Sequence, residues 1–485
     1  MASKTGFDDD NDRPAIVWFR DDLRLGDNPA LTAAATGDRE IICIFVHDEE
    51  SDAIRPLGGA ARWWLHGALQ ELADDLQRLG GQLWIYRGPA AVVVPQVANA
   101  NNAAAVYWNR RYGLGERHAD ETVKSALKAQ RIEARSFNGH LLYEPWSIRT
   151  GSDGPFRVFS AFWRTAHEVG APERPLGVPA QLRLTRRRCA SGPEALDLAR
   201  LALEPGSPDW AKGLRANWRR GEAAAQAALQ GFLQEHLTDY ADIRDFPDRA
   251  ATSKLSPYLR FGNISAREVW HAATAAASAS NSSNIHRSLE KFQSELGWRE
   301  FSYHLLYHNP QMPKQNLRPK FDQMAWRADR KALRAWQNGR TGYPLVDAGM
   351  RELWSTGWMH NRVRMVVASF LVKHLLLDWR QGESWFWDTL VDADPANNAA
   401  SWQWVAGSGA DAAPFFRVFN PILQGEKFDP GGEYVRRWVP ELASLSASDI
   451  HRPWQASKIG KTYPEKIVEQ DGARQRALDA FKALD

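Results

Sequence analysis

The rhythm of hydrophobic and polar positions changes along the chain. Near the N-terminus apolar residues come in short unbroken runs: Ala15–Phe19 reads AIVWF, and residues 41–48 read IICIFVHD. Fully apolar runs of that length fit strands buried on both faces. Between them the pattern turns helical. The stretch GAARWWLHGALQELADDLQRLG, closed by Gly80 and Gly81, predicts an amphipathic helix with a glycine C-cap. QLWIYRG, AAAVYWNRRY and IEARSFNG repeat the strand signal, with helical stretches between them. Strands alternating with helices at this spacing predict an α/β domain over residues 14–145, built on a doubly wound, Rossmann-like parallel sheet. Ligands of such sheets sit at the carboxyl ends of the strands, but no GxGxxG is present, so a dinucleotide site there has no support.

From 146 to 225 the pattern dissolves into Pro, Gly and Arg, which predicts a long surface connector. Residues 226–485 read as a second, all-α domain. In NRVRMVVASFLVKHLL, residues Val363, Val366, Val367, Phe370, Leu371 and Leu375 fall on one helical stripe. SAREVW carries a capping box, Ser265 to Glu268.

Composition narrows the class. At 485 residues, 44% hydrophobic and 25% charged, the chain fits a globular protein of two or three domains. Its 61 basic and 58 acidic residues nearly cancel, so a nucleic-acid partner requires a local basic face. The run RLTRRRC (183–189) reads as solvated linker. The longest apolar run, MVVASFLV at 365–372, is too short for a membrane span, and the opening MASKTGFDDDNDR lacks the apolar core of a secretory signal. Two cysteines, Cys43 and Cys189, point to a reducing, cytoplasmic location and exclude a four-cysteine zinc or iron–sulfur centre.

Four constellations carry candidate chemistry. In ATSKLSPYLRFGNIS, the hydroxyls of Thr252, Ser253 and Ser256 surround Lys254, and Ser256–Pro257 reads as the start of a helix. Such a start is either a phosphate cradle or simple capping. Glu295 and Trp298 share a helix face in FQSELGWREF, beside Arg299. Asn361, Arg362 and Arg364 precede the apolar stripe, with His360 before them. His304 and His308 have metal-compatible spacing but no third ligand in view, so no metal is expected. In DTLVDADPANNAASWQW, Asp392, Asp394 and Asn398 precede Trp402 and Trp404, which point to different sides of a helix. The chain holds 22 Trp, and their clustering with Asn and Arg goes beyond what a core requires.

Taken together, VWFRDDLRLGDNPAL, TSKLSPYLRFGNIS, SELGWREF, TGWMHNRVRMVV, DADPANNAASWQW and FRVFNPILQGEKFD resemble the DNA photolyase/cryptochrome family, from about residue 14 to near KTYPEKIV. The stretch WVAGSGADAAPFFRVFNPILQGEKFD is most similar to class III cyclobutane pyrimidine dimer photolyases. The resemblance implies FAD folded into a U shape within the helical domain. Tyr240 and the stretch Thr252, Ser253, Lys254, Leu255 and Ser256 would hold its pyrophosphate. Arg299 and Asp394 would join that site. Arg364 paired with Asp392 would lie beside the isoalloxazine, with Asn398 opposite flavin N5. A neutral amide there adds no negative charge next to the reduced, anionic ring.

The implied substrate is a pyrimidine dimer of UV-damaged DNA, flipped out of the duplex as enzymes of this class do, and split by electron transfer from the excited reduced flavin. Trp298 and Trp404 match the pocket's aromatic walls, and Glu295 matches its hydrogen-bonding carboxyl. Asn361 and Met365 match other pocket positions, while Arg362 and Gln424 match DNA contacts. Trp402, Trp379 and Trp326 match an electron-transfer chain to the surface, with Trp385 and Trp387 either a second branch or core. The family's antenna chromophore would be methenyltetrahydrofolate or an 8-hydroxy-5-deazaflavin. Glu116 matches one folate contact, but Gly115 stands where some members have Asn. The family's members are expected to act as monomers. A cryptochrome and a (6-4) photolyase are the rival readings; Asn398 speaks against a plant-type receptor, and Asn361 with Met365 against the (6-4) enzyme.

Overall fold

The computed structural model describes residues 13–186, 192–412, 417–456 and 463–484; Cys189 and the end of its basic run fall outside them. Strands β1 (Ala15–Phe19), β2 (Ile41–His47), β3 (Leu83–Arg87), β4 (Ala105–Asn109) and β5 (Glu133–Phe137) alternate with helices α1 (Pro29–Thr36), α2 (Gly59–Arg78), α3 (Ala90–Ala100) and α4 (Leu114–Ala129). The sheet is parallel throughout, in the order β3-β2-β1-β4-β5. Ala15 pairs with Ile41 on one side and Ala105 on the other. The unbroken apolar runs follow from burial on both faces. Val17, Phe19, Cys43 and Phe45 pack into the core under α2, while Ile16, Trp18, Ile42 and Ile44 pack under α3 and α4. Helix α2 ends as its sequence implies: Gly80 takes φ +87°, its N–H donates to the Gln77 carbonyl at 3.0 Å, and the Gly81 N–H donates to that of Leu76 at 2.8 Å. That is a Schellman cap. Burial pushes the Cys43 thiol up to about 12.

The stretch from 146 to 225 is more ordered than its Pro and Gly content implies. It contains α5 (Phe159–Val169), α6 (Lys212–Asn217) and the start of α7 (Glu222–Glu235). Phe162 and Ala166 of α5 are buried, and Gly297 of the long helix below leaves room for Trp163; a Cβ there would lie 2.7 Å from the indole.

The helical part continues with α8 (Tyr240–Ile243), α9 (Ser256–Arg260), α10 (Ala266–Ser278), α11 (Ile285–His308), α12 (Arg330–Gln337), α13 (Pro344–Thr356) and α14 (Asn361–Ser369). It closes with α15 (Trp379–Thr389), α16 (Asn397–Ala406), α17 (Pro421–Phe428), α18 (Glu433–Trp438) and α19 (Gln470–Lys482). The Ser265–Glu268 capping box forms at the start of α10. All six residues of the 363–375 stripe are buried, but the stripe crosses from α14 into a π turn at Phe370–His374. Sheet and helices share a core at α2, where the Trp64 indole meets Tyr258 at 5.0 Å and donates to Asn263 Oδ1 at 3.1 Å. No described helix is long and apolar enough to cross a membrane.

Candidate active site

A cavity of about 640 Å³ opens among the helices, within the range of small-molecule and cofactor sites. Its inner part is charged, with its carboxylates buried. Arg364, on the first turn of α14, grips Asp392 from the loop before α16 with two contacts of 2.8 and 3.2 Å. The Ser256 hydroxyl donates to the same Asp392 carboxylate at 2.6 Å. Helix α9 starts at Ser256, as the sequence implies, but Ser256 does not cap it: Leu255 is the N-cap, and the Ser256 side chain reaches across the cavity instead. Asp394 is tied into the protein, accepting from Tyr303 Oη at 2.6 Å and from the Ala396 and Asn397 amides at 2.9 and 2.7 Å. Asn398 lies one turn further on, 8% exposed.

The outer part is aromatic and half-open. Trp298 lines the cavity with one face covered by Phe159 of α5, stacked at 3.8 Å and 11°. Trp404 lines it from α16. Glu295, on the same face of α11 as Trp298, pairs with Arg244 and with Lys291 at 3.2 Å. Asn361, Arg362 and Met365 line the cavity from α14, and Arg362 meets Asp245 at 2.5 Å.

The cavity therefore gathers Tyr240, Ser253, Leu255, Ser256, Arg299 and Arg364 with Asp392, Asp394 and Asn398. Within this set the Arg299 guanidinium is engaged by the His140 carbonyl at 2.9 Å and its ring Nε2 at 2.7 Å. Thr252 and Lys254 stand outside the lining; Lys254, at φ +50°, lies over Trp358. Gln424 sits on α17, away from the lining. Trp402 lines the cavity from its buried side, edge-on to Phe386 at 5.0 Å and to Trp336 at 6.2 Å. Trp379 is buried in the same apolar cluster, its indole donating to Asn316 Oδ1 at 3.0 Å, and the partly exposed Trp326 packs at its edge. Trp385 stacks on the exposed Trp354, and Trp387 donates to the Pro56 carbonyl.

Glu116 lies elsewhere, in the first turn of α4, folded over Gly113. A side chain at Gly115 would meet the backbone of Ala53 and Ile54 at 2.4 and 2.5 Å, which explains why no Asn stands there. His304 accepts from the Phe156 amide and meets the Pro145 carbonyl, which His308 also meets. Among the described residues no group of three or more His, Cys, Asp or Glu is arranged to hold a metal.

Sequence reasoning missed Arg244, Asp245, Phe159 and Glu383. Phe159 had a signal, since Phe159, Phe162, Trp163 and Ala166 repeat at helical spacing. The charged three had none, because their partners lie 51 (Arg244–Glu295), 117 (Asp245–Arg362) and 15 (Glu383–Asn398) residues away.

Residues 15–180 match the DNA photolyase family, and residues 292–483 match the FAD binding domain of DNA photolyase. The chain is 48% identical over 480 residues to a deoxyribodipyrimidine photo-lyase of Agrobacterium fabrum, covering 97% of this chain and 98% of that protein. It is 38% identical over 487 residues to cryptochrome-1 of Arabidopsis thaliana, covering 97% of this chain and 70% of that one. Its fold superposes on a bacterial class III photolyase from Agrobacterium tumefaciens with a TM-score of 0.92 at 46% identity, covering 100% of this chain and 99% of the other. The chain belongs to the DNA photolyase/cryptochrome family, and its helical domain is the family's FAD-binding domain. The donor set fits that cofactor: a buried carboxylate paired with a half-buried arginine and an amide for a polar ring edge, apolar Leu296, Met359 and Phe386 for the ring faces, and serine hydroxyls further out.

Proposed function

We propose that this chain is a light-driven DNA repair enzyme that splits cyclobutane pyrimidine dimers. The observation that carries the reading is the gradient across one cavity: Asp392 and Asn398 buried at its inner end, Trp298, Trp404 and Glu295 half-open at its outer end. When bound, the reduced flavin supplies light-driven transfer of one electron to the substrate and its recovery afterwards.

Every other role falls to side chains. Arg364, held by Asp392, places a fixed cation beside the ring edge, while Ser253 and Ser256 hold the phosphate side together with Tyr240 and Leu255, and Thr252 and Lys254 flank it from outside the lining. Trp298, backed by Phe159, and Trp404 form walls between which a flipped-out dinucleotide stacks, each contact contributing about 1–3 kcal/mol per base. Glu295 accepts from base N–H groups, and Arg244 keeps it in place. Asn361 and Met365 shape the remaining wall, and Arg362 and Gln424 face the DNA backbone. Trp402, Trp379 and Trp326 form the route by which electrons reach the flavin from outside. The antenna chromophore we propose is methenyltetrahydrofolate, with a deazaflavin as the alternative; the closed space at Gly115 means that Glu116 would act without a neighbouring side chain.

The test is light-dependent repair. Reduced protein is mixed with UV-irradiated oligothymidine, and the recovered absorbance of the base band is followed under blue light and in the dark. Recovery in the light alone is expected. A reduced, FAD-loaded protein that repairs nothing would move the assignment to a (6-4) enzyme or to signalling.

A further inference from the structure

The amide of Asn398 is linked, through one intermediate side chain, to a residue outside its own domain. Its Nδ2 donates twice to Glu383 on the neighbouring helix α15, to the main-chain carbonyl at 3.0 Å and to carboxylate Oε1 at 2.9 Å. Both partners only accept, so the amide cannot turn over; its nitrogen must face Glu383 and its Oδ1 is left for the cavity. The Glu383 carboxylate is itself held by Arg55, which belongs to the loop between β2 and α2 of the N-terminal domain. The grip is two-pronged, 2.7 Å to Oε1 and 3.0 Å to Oε2, and Glu383 is 5% exposed against 37% for the Arg55 side chain.

Arg55 is positioned in turn. Its guanidinium lies 4.1 Å over the Trp387 ring, and the Trp387 indole donates to the Pro56 carbonyl at 2.8 Å. Two residues on, Gly58 packs so closely that a Cβ would sit 2.1 Å from the Trp387 carbonyl, and the Gly59 N–H donates to Asp388 Oδ1 at 2.8 Å. The 55–59 loop is thus fastened to α15 along its length, and the chain of contacts runs from the surface of the sheet domain to the inner end of the cavity.

We infer that Arg55 is a positioning residue for the flavin: acting through Glu383, it locks Asn398 so that only a hydrogen-bond acceptor faces the cofactor. This rests on the reading that Asn398 faces the flavin ring. An acceptor favours flavin forms that carry a proton on the facing ring nitrogen, which are the reduced ones, over the oxidised form, which requires a donor there. Without the fork the Glu383 carboxylate loses its anchor and the main-chain carbonyl alone holds the amide, whose NH2 group can then turn to satisfy either form. The light-gathering domain, through one arginine, thereby holds the catalytic domain's cofactor on its reduced side.

The test is the flavin midpoint potential of the FAD-loaded full chain in four proteins: wild type, Arg55→Met, Asn398→Ala and the double variant. Methionine keeps an apolar stem on Trp387 and removes the fork. Arg55→Met alone is expected to shift the equilibrium about tenfold against the reduced flavin, the size of one charge-assisted hydrogen bond. For a two-electron couple that is about 30 mV. In the Asn398→Ala background the same change should have no further effect, because the relay has lost its end. Arg55→Lys, which keeps the charge and loses the fork, should fall between, and it serves if the methionine variant fails to hold FAD. An unchanged potential in Arg55→Met overturns the proposal. So does an equal shift in both backgrounds, which would mean that the uncovered Glu383 charge acts on the flavin directly. If Asn398→Ala itself leaves the potential unchanged, the reading that Asn398 faces the flavin falls first, and the relay with it.

Discussion

At the carboxyl ends of β1 and β4, and again at the centre of the helical domain, the chain gathers buried arginine, carboxylate and asparagine side chains, and it uses them in opposite ways. In the sheet domain they close on one another. Arg20 pairs with Asp120 at 2.5 Å, the Trp108 indole donates to the same carboxylate at 2.9 Å, and Asn109 Nδ2 donates to Asp22 at 2.6 Å. At this end of the strands, where doubly wound sheets bind nucleotides, these side chains satisfy one another. In the helical domain Arg364 and Asp392 also pair, but with Asn398 they stand on the wall of a cavity of about 640 Å³. The lesson is that a buried polar cluster marks a ligand site only where its members leave space between them.

The strongest test applies one change to each cluster. Asp120→Ala leaves Arg20, 3% exposed, without its anion, and breaking a buried pair in this way costs about 3–5 kcal/mol. Burial already holds the Arg20 guanidinium below its usual pKa. Denaturant unfolding should show that loss, with flavin per folded molecule unchanged. Asp392→Ala should do the reverse: the cavity keeps its shape, and FAD retention, measured by flavin absorbance after gel filtration, falls at least tenfold. If both variants lose stability alone, the two clusters are alike and the distinction collapses.

Two buried histidines make stability sensitive to pH. His304 on α11 accepts from the Phe156 amide and meets the Pro145 carbonyl, and burial lowers it to about 4; His360, which caps α14, falls to the same value. Their unfolded forms take a proton near 6.5, before the folded forms do. Stability is therefore full above pH 6.5 and is lost as pH falls towards 4, at about 1.4 kcal/mol per pH unit per histidine. His304→Gln, whose carbonyl can still accept from Phe156, should reduce that slope by one histidine's share in unfolding curves taken at pH 7 and 5.

Smaller still is Gly382→Ala. A Cβ there would lie 2.1 Å from the Trp402 ring, in the helix that begins with Trp379. Overpacking of this kind costs about 1–3 kcal/mol. Flavin photoreduction should slow while dimer binding holds, since Trp298 and Trp404 are untouched.

The sheet was legible in the sequence because two-sided burial leaves an unbroken apolar run, as in Ala15–Phe19. Helix α5 was not, because its four apolar positions are flanked by Pro and Gly on both sides, and composition outweighed periodicity. Asp392, Asn398, Trp402 and Trp404 stood out by their clustering within thirteen positions, yet their sorting into an inner and an outer set depends on the packing of α16 against α15 and α11. Arg55 could not be read at all. Its partner is 328 residues away, and nothing local to Arg55 in its loop distinguishes it from a solvated charge.

The most direct measurement separates the two tryptophans. Trp404→Ala and Trp402→Phe are each assayed for dimer-DNA affinity and for light-driven flavin reduction. The cavity gradient predicts that Trp404→Ala weakens binding about tenfold or more and reduces its flavin normally, while Trp402→Phe binds normally and photoreduces poorly. If both variants lose both properties together, or neither, the two residues are ordinary core and the division of the cavity into a flavin end and a substrate end is wrong.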